Sequence, residues 1–173
     1  ASTHALAQTI DGSRDAAYGT ALSLQTTGTQ FGNANLGNPI EANGSELAAG
    51  YGITANGNLY LMFTGNLETN YNKIEIFIDS IAGEGQNILR GDNPDVDFNG
   101  LNRMGSDGFS QGLTFDADFS PDYYLTASGG LNGSDFEFFT NYAEVRTTGG
   151  GNGNYTGSSG PATAPFAYID GRV

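Results

Sequence analysis

The sequence predicts an all-β protein, an antiparallel β-sandwich of jelly-roll type with long loops rich in Gly and Asn. Residues 58–64 and 73–79 show the clearest alternation, with Leu59, Leu61 and Phe63 on one face of the first segment. A period of two residues is that of a strand. The 27 glycines among 173 residues separate many short segments of this kind. Short strands joined by Gly-rich turns are typical of sandwiches.

The strands are predicted in series along the chain. The Asn56-Gly57 pair joins a strand at 46–54 to the strand that follows, and Asn-Gly favours a type I′ hairpin because both residues take positive φ. Asn132-Gly133 predicts a second hairpin turn in the same way. No segment predicts a helix, and the long segment from residue 80 to about 111 is expected to be a loop. The remaining strands are predicted at residues 21–27, 112–119, 122–128 and 136–145.

We expect three parts along the chain. Residues 1–146 form the β-sandwich domain, which is long enough to bury a sizeable core. Residues 147–165 are rich in Gly, Asn, Ser, Thr and Pro and predict a flexible loop or linker. Residues 166–173 predict a terminal strand, which closes its own sheet or adds to the sheet of a neighbouring subunit. In the second case three side chains would fill pockets in the neighbour: Phe166, Tyr168 and Ile169.

The charge balance excludes several classes of partner. Six Lys and Arg stand against 19 Asp and Glu, so the formal net charge is −13. Nucleic acid and anionic membranes would repel such a chain, and no stretch is apolar enough to insert into a membrane. We therefore expect no nucleic-acid partner and no membrane insertion. Divalent cations are suitable partners, with Ca²⁺ first because its ligands are oxygens.

An acidic loop predicts where Ca²⁺ binds. Residues 95–100 read Asp-Val-Asp-Phe-Asn-Gly, which matches the first half of an EF-hand loop. Position twelve of that loop is Ser106 rather than Glu, so we expect a cation site in a sandwich loop, with Glu84 as a further candidate. The alternative is that Asp and Asn stand here because they favour turns. The candidate ligands are Asp79, Asp92, Asp95, Asp97 and Asn99.

The remaining residue types argue against catalysis and for an extracellular location. The chain has no Cys, which excludes disulfides and thiol nucleophiles, and its single histidine, His4, makes a Ser-His-Asp triad implausible. Scattered carboxylates predict a solvated acidic face better than an acid–base pair. Few basic residues with many Gly, Asn, Ser, Thr and aromatic residues indicate a secreted surface protein. Three sequons offer N-glycosylation sites: Asn43, Asn132 and Asn154.

Several segments together resemble known families. Ile10-Asp-Gly, Asn58-Leu-Tyr-Leu-Met-Phe and Lys73-Ile-Glu-Ile-Phe-Ile-Asp-Ser resemble the sandwich of the DOMON superfamily and of family-9 carbohydrate-binding modules. The whole arrangement, including residues 93–105, 112–119 and 122–125, resembles secreted planctomycete-type proteins with a PEP-CTERM exosortase sorting signal. This resemblance implies a DOMON-like sandwich, export, surface or matrix association, and Ca²⁺ in the sandwich.

The sequence thus predicts a non-catalytic secreted structural protein of the extracellular matrix, the cell surface or a filament. We expect it to be stabilised by calcium and to associate with itself by strand addition. The alternative is a calcium-dependent carbohydrate-binding module with an extracellular glycan as partner. Its Tyr and Phe residues would then stack on sugar rings, although on strands such residues more often pack in the core.

Overall fold

Two antiparallel sheets form the described part of the protein. A computed structural model describes residues 9–26, 45–97, 100–105 and 112–159, and of residues 155–159 it describes the backbone alone. The sheets and the near absence of helix in these ranges confirm the predicted all-β fold. The strands are Ser23–Leu24 (β1), Glu46–Ala55 (β2), Asn58–Asn66 (β3), Asn70–Ile78 (β4), Tyr123–Asn132 (β5), Asp135–Glu144 (β6) and Gly153–Ser159 (β7).

The sheet order follows the chain. Strands β1, β2 and β3 form a three-stranded sheet, and β4, β5, β6 and β7 form a four-stranded sheet. The short link after β3 carries the chain from one sheet to the other. A 3₁₀ turn at Ala16–Tyr18 packs beside β2, and a single-turn helix, Leu101–Met104 (α1), lies in the long segment between β4 and β5. No helix among the described residues is long and apolar enough to cross a membrane.

The first hairpin has the predicted turn. Asn56 and Gly57 have φ values of 52° and 80°, and Ala55 faces Asn58 across the turn. Positive φ at both central residues defines a type I′ turn, whose twist matches that of the two strands. The hairpin between β2 and β3 predicted from Asn-Gly is confirmed.

The second hairpin turns one residue later than predicted. Asn132 still pairs with Asp135, so the two turn residues are Gly133 and Ser134. Only Gly133 takes positive φ, at 67°, which fits a type II′ turn with Gly first. The amide of Asn132 instead donates to Glu137 Oε1 at 2.9 Å, so this residue ends the strand.

Strand β7 lies within the segment that its composition predicted to be a flexible linker, and for Gly153–Ser159 that prediction is wrong. The segment pairs antiparallel with β6, from Ala143 opposite Gly153 to Phe138 opposite Ser159. Main-chain hydrogen bonds need no particular side chain, so a free edge on β6 suffices to order a Gly-rich stretch. Residues 160–173, with the predicted terminal strand, lie outside the described residues.

The fully buried core lies on one face of the four-stranded sheet, under the long segment between β4 and β5. Leu89 and Leu101 come from that segment and are each 1 % exposed. The sequence predicts a loop here, and the apolar residues of this loop close over the sheet. Ile74, Ile76 and Ile78, on the opposite face of β4, are only half-buried. The buried cluster comprises Leu89, Leu101, Tyr124, Ala143 and Val145, with Phe77, Val96, Met104 and Phe115 against it.

A pair of buried amides fixes the long segment on the core. Gln86 Nε2 donates to Asn93 Oδ1 at 2.8 Å, and Asn93 Nδ2 donates back to Gln86 Oε1 at 2.9 Å. Gln86 also accepts from the main chain of Arg90 at 2.9 Å and donates to the carbonyl of Arg146. Both side chains are buried, and in each of them the NH₂ group donates and the amide oxygen accepts a hydrogen bond, as buried amides require.

Candidate functional site

A group of ionisable side chains meets where the long segment crosses β4 and β5. Lys73 and Glu75 stand two residues apart on the face of β4 that also carries Phe77, so the strand period brings them together. Lys73 Nζ lies 2.7 Å from Asp97 Oδ2. The hydroxyl of Tyr124 donates to Glu75 Oε1 at 3.2 Å and lies 3.5 Å from Asp97 Oδ2. We call these four residues the charged cluster.

Burial raises the pKa of two members of the charged cluster, Glu75 and Tyr124. Partial burial raises the pKa of the Glu75 carboxyl, and the charge of Asp97 raises it further, while the hydrogen bond from Tyr124 and the charge of Lys73 lower it. Burial also raises the pKa of the Tyr124 hydroxyl far above its ordinary value, with the charges of Glu75 and Asp97 adding to the effect. The Tyr124 hydroxyl thus keeps its proton for the hydrogen bond, and the Glu75 carboxyl takes up a proton at a higher pH than an ordinary glutamate does.

Glu75→Gln is expected to raise the melting temperature near pH 7 and to have no such effect near pH 4. A carboxyl with a raised pKa contributes stability below its unfolded pKa, and this is lost as the pH rises through the folded value. The glutamine keeps an acceptor for Tyr124 and removes the cost of the ionised form. Since Glu75 is exposed in part, the gain should stay below about 1 kcal/mol. Melting curves at both pH values check this.

Glu84→Gln is the control for that experiment, because it removes one negative charge from the same acidic chain outside the charged cluster. A gain of equal size and equal pH dependence in both variants would mean that net charge, rather than the environment of Glu75, produces the effect.

Two buried oxygens lie in or just after the loop that the sequence predicted to bind Ca²⁺. The Asp97 side chain is 4 % exposed, and its Oδ1 has no hydrogen-bond partner among the described residues. The same is true of Asn102 Oδ1. The Asp97 carboxylate lies directly over the backbone of Gly100, so a Cβ atom there would collide with it unless the Asp97 side chain moved. Oxygens of this kind are suited to a hard cation.

The other predicted ligands lie apart and have separate partners. Asp79 accepts from the main chain of Ser120 at 2.8 Å. Arg90 makes two hydrogen bonds to Asp92, at 2.8 and 2.6 Å, which hold the pKa of that carboxyl below its ordinary value. Asp95 is exposed. Asn99 lies outside the described residues, and the described ones contain no group of three acidic or histidine side chains that could hold a metal. The calcium site stays a prediction.

Beside the charged cluster is a cavity of about 430 Å³. The rings of Tyr71 and Phe139, 6.3 Å apart between centroids, form one wall. Tyr71 has a φ of 63° and lies on Gly130, where any Cβ atom would overlap its ring. Sequence reasoning missed most of these residues, because alternation gives the face of each side chain but not the register between strands. The cavity is lined by Tyr71, Lys73, Val96, Asp97, Ser128, Phe139 and Asn141.

A second cavity, of about 460 Å³, opens between the two sheets. Phe63 of the three-stranded sheet lies on one side, and Ile74, Ala127 and Phe138 of the four-stranded sheet lie on the other. The alternation predicted for β3 is seen in its burial, since Leu59, Leu61 and Phe63 are exposed whereas Tyr60, Met62 and Thr64 are half-buried. The two sheets thus leave apolar side chains partly open to solvent.

The structure describes two of the three predicted glycosylation sites and none of the residues predicted to mediate assembly. Asn132 ends β5 and Asn154 lies in β7, and both are exposed. Asn43 lies outside the described residues. So do the three side chains predicted to enter a neighbouring subunit: Phe166, Tyr168 and Ile169.

Comparison with known proteins adds no relative. No protein-family model, curated protein or solved structure matches this chain. The resemblance to DOMON, family-9 carbohydrate-binding and PEP-CTERM proteins therefore stays a prediction.

Proposed function

We propose that this is a non-catalytic structural protein of the extracellular matrix, the cell surface or a filament, and that it assembles through its three-stranded sheet. The observation that carries the proposal is the apolar surface of that sheet. Contiguous exposed apolar patches mark interaction sites on soluble proteins. Six large apolar residues in or beside its strands are 40–76 % exposed: Leu22, Leu24, Leu47, Leu59, Leu61 and Phe63.

The partners of the acidic side chains support a structural role. Asp122 accepts hydrogen bonds from the main chain after β4, and Glu144 accepts from Asn152 and Arg146 beside β7. Asp97 pairs with Lys73. Carboxylates occupied in this way hold segments in place. The composition, poor in Lys and Arg and rich in Gly, Asn, Ser and Thr, supports an extracellular location. The buried oxygens of Asp97 and Asn102 support stabilisation by Ca²⁺.

Leu59→Lys is the test of assembly through the three-stranded sheet. We expect the full chain with Ca²⁺ to have a mass above that of the monomer by size exclusion with light scattering, and Leu59→Lys to be monomeric, because it places a charge in the apolar patch. Leu131→Lys is the matched control, since Leu131 is 50 % exposed against 57 % for Leu59 but lies in the four-stranded sheet. A monomeric full chain, with Ca²⁺ and with chelator, would contradict the proposal, as would equal assembly of both variants.

Strand donation by residues 166–173 is a separate proposal. Phe166, Tyr168 and Ile169 would lie along an exposed edge of a neighbouring copy and fill apolar openings such as the cavity between the sheets. Deleting residues 161–173 removes the donor, so an unchanged assembly state by light scattering and electron microscopy would contradict it.

A second candidate function is a calcium-dependent carbohydrate-binding module. The cavity beside the charged cluster favours it, because the rings of Tyr71 and Phe139 offer stacking surfaces while Asn141 and Ser128 offer hydrogen bonds. Asp97, the central residue of the predicted calcium loop, lines the same cavity. A glycan array probed with and without Ca²⁺ distinguishes this function from the first, and an absence of binding in both conditions would contradict it.

A further inference from the structure

The outer edge of β3 lacks two features that protect strand edges, charged residues and proline. Within the described residues β3 pairs on one side only, with β2. Its nine residues, Asn58–Asn66, include no charged residue and no proline. Strand β4 is an edge strand too, but it carries Lys73 and Glu75 and has an irregular register between Asn70 and Lys73. Charges and prolines protect against edge-to-edge pairing, and β3 has neither; its register with β2 is irregular only near its end, opposite Leu47 and Ala49. We call the unpaired side of β3 the open edge.

The hairpin turn determines which main-chain groups face that edge. Across a two-residue turn the flanking residues, here Ala55 and Asn58, form a hydrogen-bonded pair. Antiparallel pairs alternate, so Tyr60 and Met62 also direct their main-chain groups towards β2. Leu59, Leu61 and Phe63 then present both N–H and C=O to the open edge. Their exposed side chains, 57 %, 40 % and 41 % accessible, belong to the same three residues.

The sequence of β3 is complementary to itself in antiparallel orientation. If two copies of β3 pair antiparallel with Leu61 at the centre, Leu59 of one copy lies opposite Phe63 of the other, and Tyr60 lies opposite Met62. A two-fold rotation therefore places large, mainly apolar residues opposite one another on both faces. Two-fold contacts use the same patch on both subunits. Copies with a net charge of −13 repel one another, and an uncharged strand is where they can come close.

We propose that β3 pairs antiparallel with β3 of a second copy of this chain, with the two Leu61 residues directly opposite each other. This inference rests on the proposed assembly through the three-stranded sheet and names its partner. Leu61 exchanges two main-chain hydrogen bonds with its counterpart, and Leu59 and Phe63 exchange two more at each end, about six in all. Two three-stranded sheets become one six-stranded sheet with a continuous apolar row.

A single introduced cysteine tests the register, because the natural chain has none. In a hydrogen-bonded antiparallel pair the Cα atoms are about 5.5 Å apart, within the range that a disulfide spans. Leu61→Cys should therefore convert most of the protein to a covalent dimer under mild oxidation. Leu59→Cys is the matched control: the two Leu59 residues would be four positions apart along the pair, about 14 Å, and should not be linked.

Hydrogen exchange of the unmodified protein supplies a second measurement that needs no mutation. The amides of Leu59, Leu61 and Phe63 should be protected at high protein concentration and should lose that protection on dilution, whereas those of Tyr60 and Met62 should stay protected. Concentration-independent protection of Leu61 would overturn the inference, because another part of the same chain would then cover the edge.

The outcomes separate this inference from the proposed function. If the full chain assembles and Leu59→Lys does not, but Leu61→Cys forms no more covalent dimer than Leu59→Cys, the register inferred here is overturned and assembly through the sheet stands. If the full chain is monomeric throughout, both are overturned. Selective linkage of Leu61→Cys together with concentration-dependent protection supports both.

Discussion

Replacing Gly85 with alanine is expected to reduce the free energy of unfolding by about 3 kcal/mol or more, one of the largest effects of any single substitution in this chain. Gly85 has a φ of 80°, which only glycine adopts at little cost. A Cβ atom at this position would also overlap the main-chain carbonyl oxygens of Ser120 and Pro121. Backbone cannot rotate away as a side chain can, so the start of the long segment would have to move away from Ser120 and Pro121, just before β5. Urea denaturation measures the loss.

Gly83→Ala separates the two causes. Gly83 has nearly the same φ, 83°, but no atom within 4 Å of where a Cβ would stand. It therefore carries the conformational cost without the overlap, and we expect a loss of about 1 kcal/mol. Equal losses at both positions would show that the contact with Ser120 and Pro121 is unimportant.

Asp122→Ala is expected to cost about 3 kcal/mol. Asp122 is 5 % exposed, and its carboxylate accepts hydrogen bonds from the main-chain N–H groups of Ser80 and Ile81 and from the Ser80 hydroxyl. Hydrogen bonds to a charged acceptor contribute about 1.5–3 kcal/mol each, and the substitution leaves buried donors unsatisfied. The long segment would then lose its attachment at both of its ends, since Asp122 joins the end of β4 to the start of β5.

Asp79→Ala is the matched control for Asp122→Ala. Asp79 also accepts a main-chain hydrogen bond in this region, from Ser120 at 2.8 Å, but it is exposed and makes this one bond among those described. We expect it to cost below about 1 kcal/mol. Urea denaturation of both variants gives the comparison, and losses of similar size would contradict the assigned role of Asp122.

Local chemistry accounts for the parts of the fold that the sequence predicted. The Asn56-Gly57 turn needs only two residues that tolerate positive φ, and Asn and Gly are the residues that do so most readily, so the turn could be predicted from these two positions alone. Strand β7 was missed because its order comes from the free edge of β6 rather than from its own composition. The position of the core was hidden because both faces of β4 carry large apolar residues, Ile74 and its neighbours on one and Phe77 on the other. The long segment between β4 and β5 covers the face that carries Phe77, and alternation within β4 does not show which face such a distant segment will cover.

The candidate site shows the same division. The Asp-rich motif identified Asp97 as unusual, but the sequence offered no reason to join it to Lys73, 24 residues away, or to Tyr124. Pairing across strands and loops depends on register, and alternation alone leaves register open. Alternation predicted that Leu59, Leu61 and Phe63 share one face of β3, but it did not predict that this face is exposed to solvent.

The Gln86–Asn93 amide pair has a consequence for how the protein responds to its surroundings. The ionic contacts of the charged cluster weaken as salt screens them and change as carboxylates protonate. The two amides carry no net charge and do not titrate, so salt and pH act directly on the ion pairs and only weakly on these reciprocal hydrogen bonds. The amide pair therefore gives the cover over the core an attachment without charge, beside the carboxylate attachments at Asp97 and Asp122.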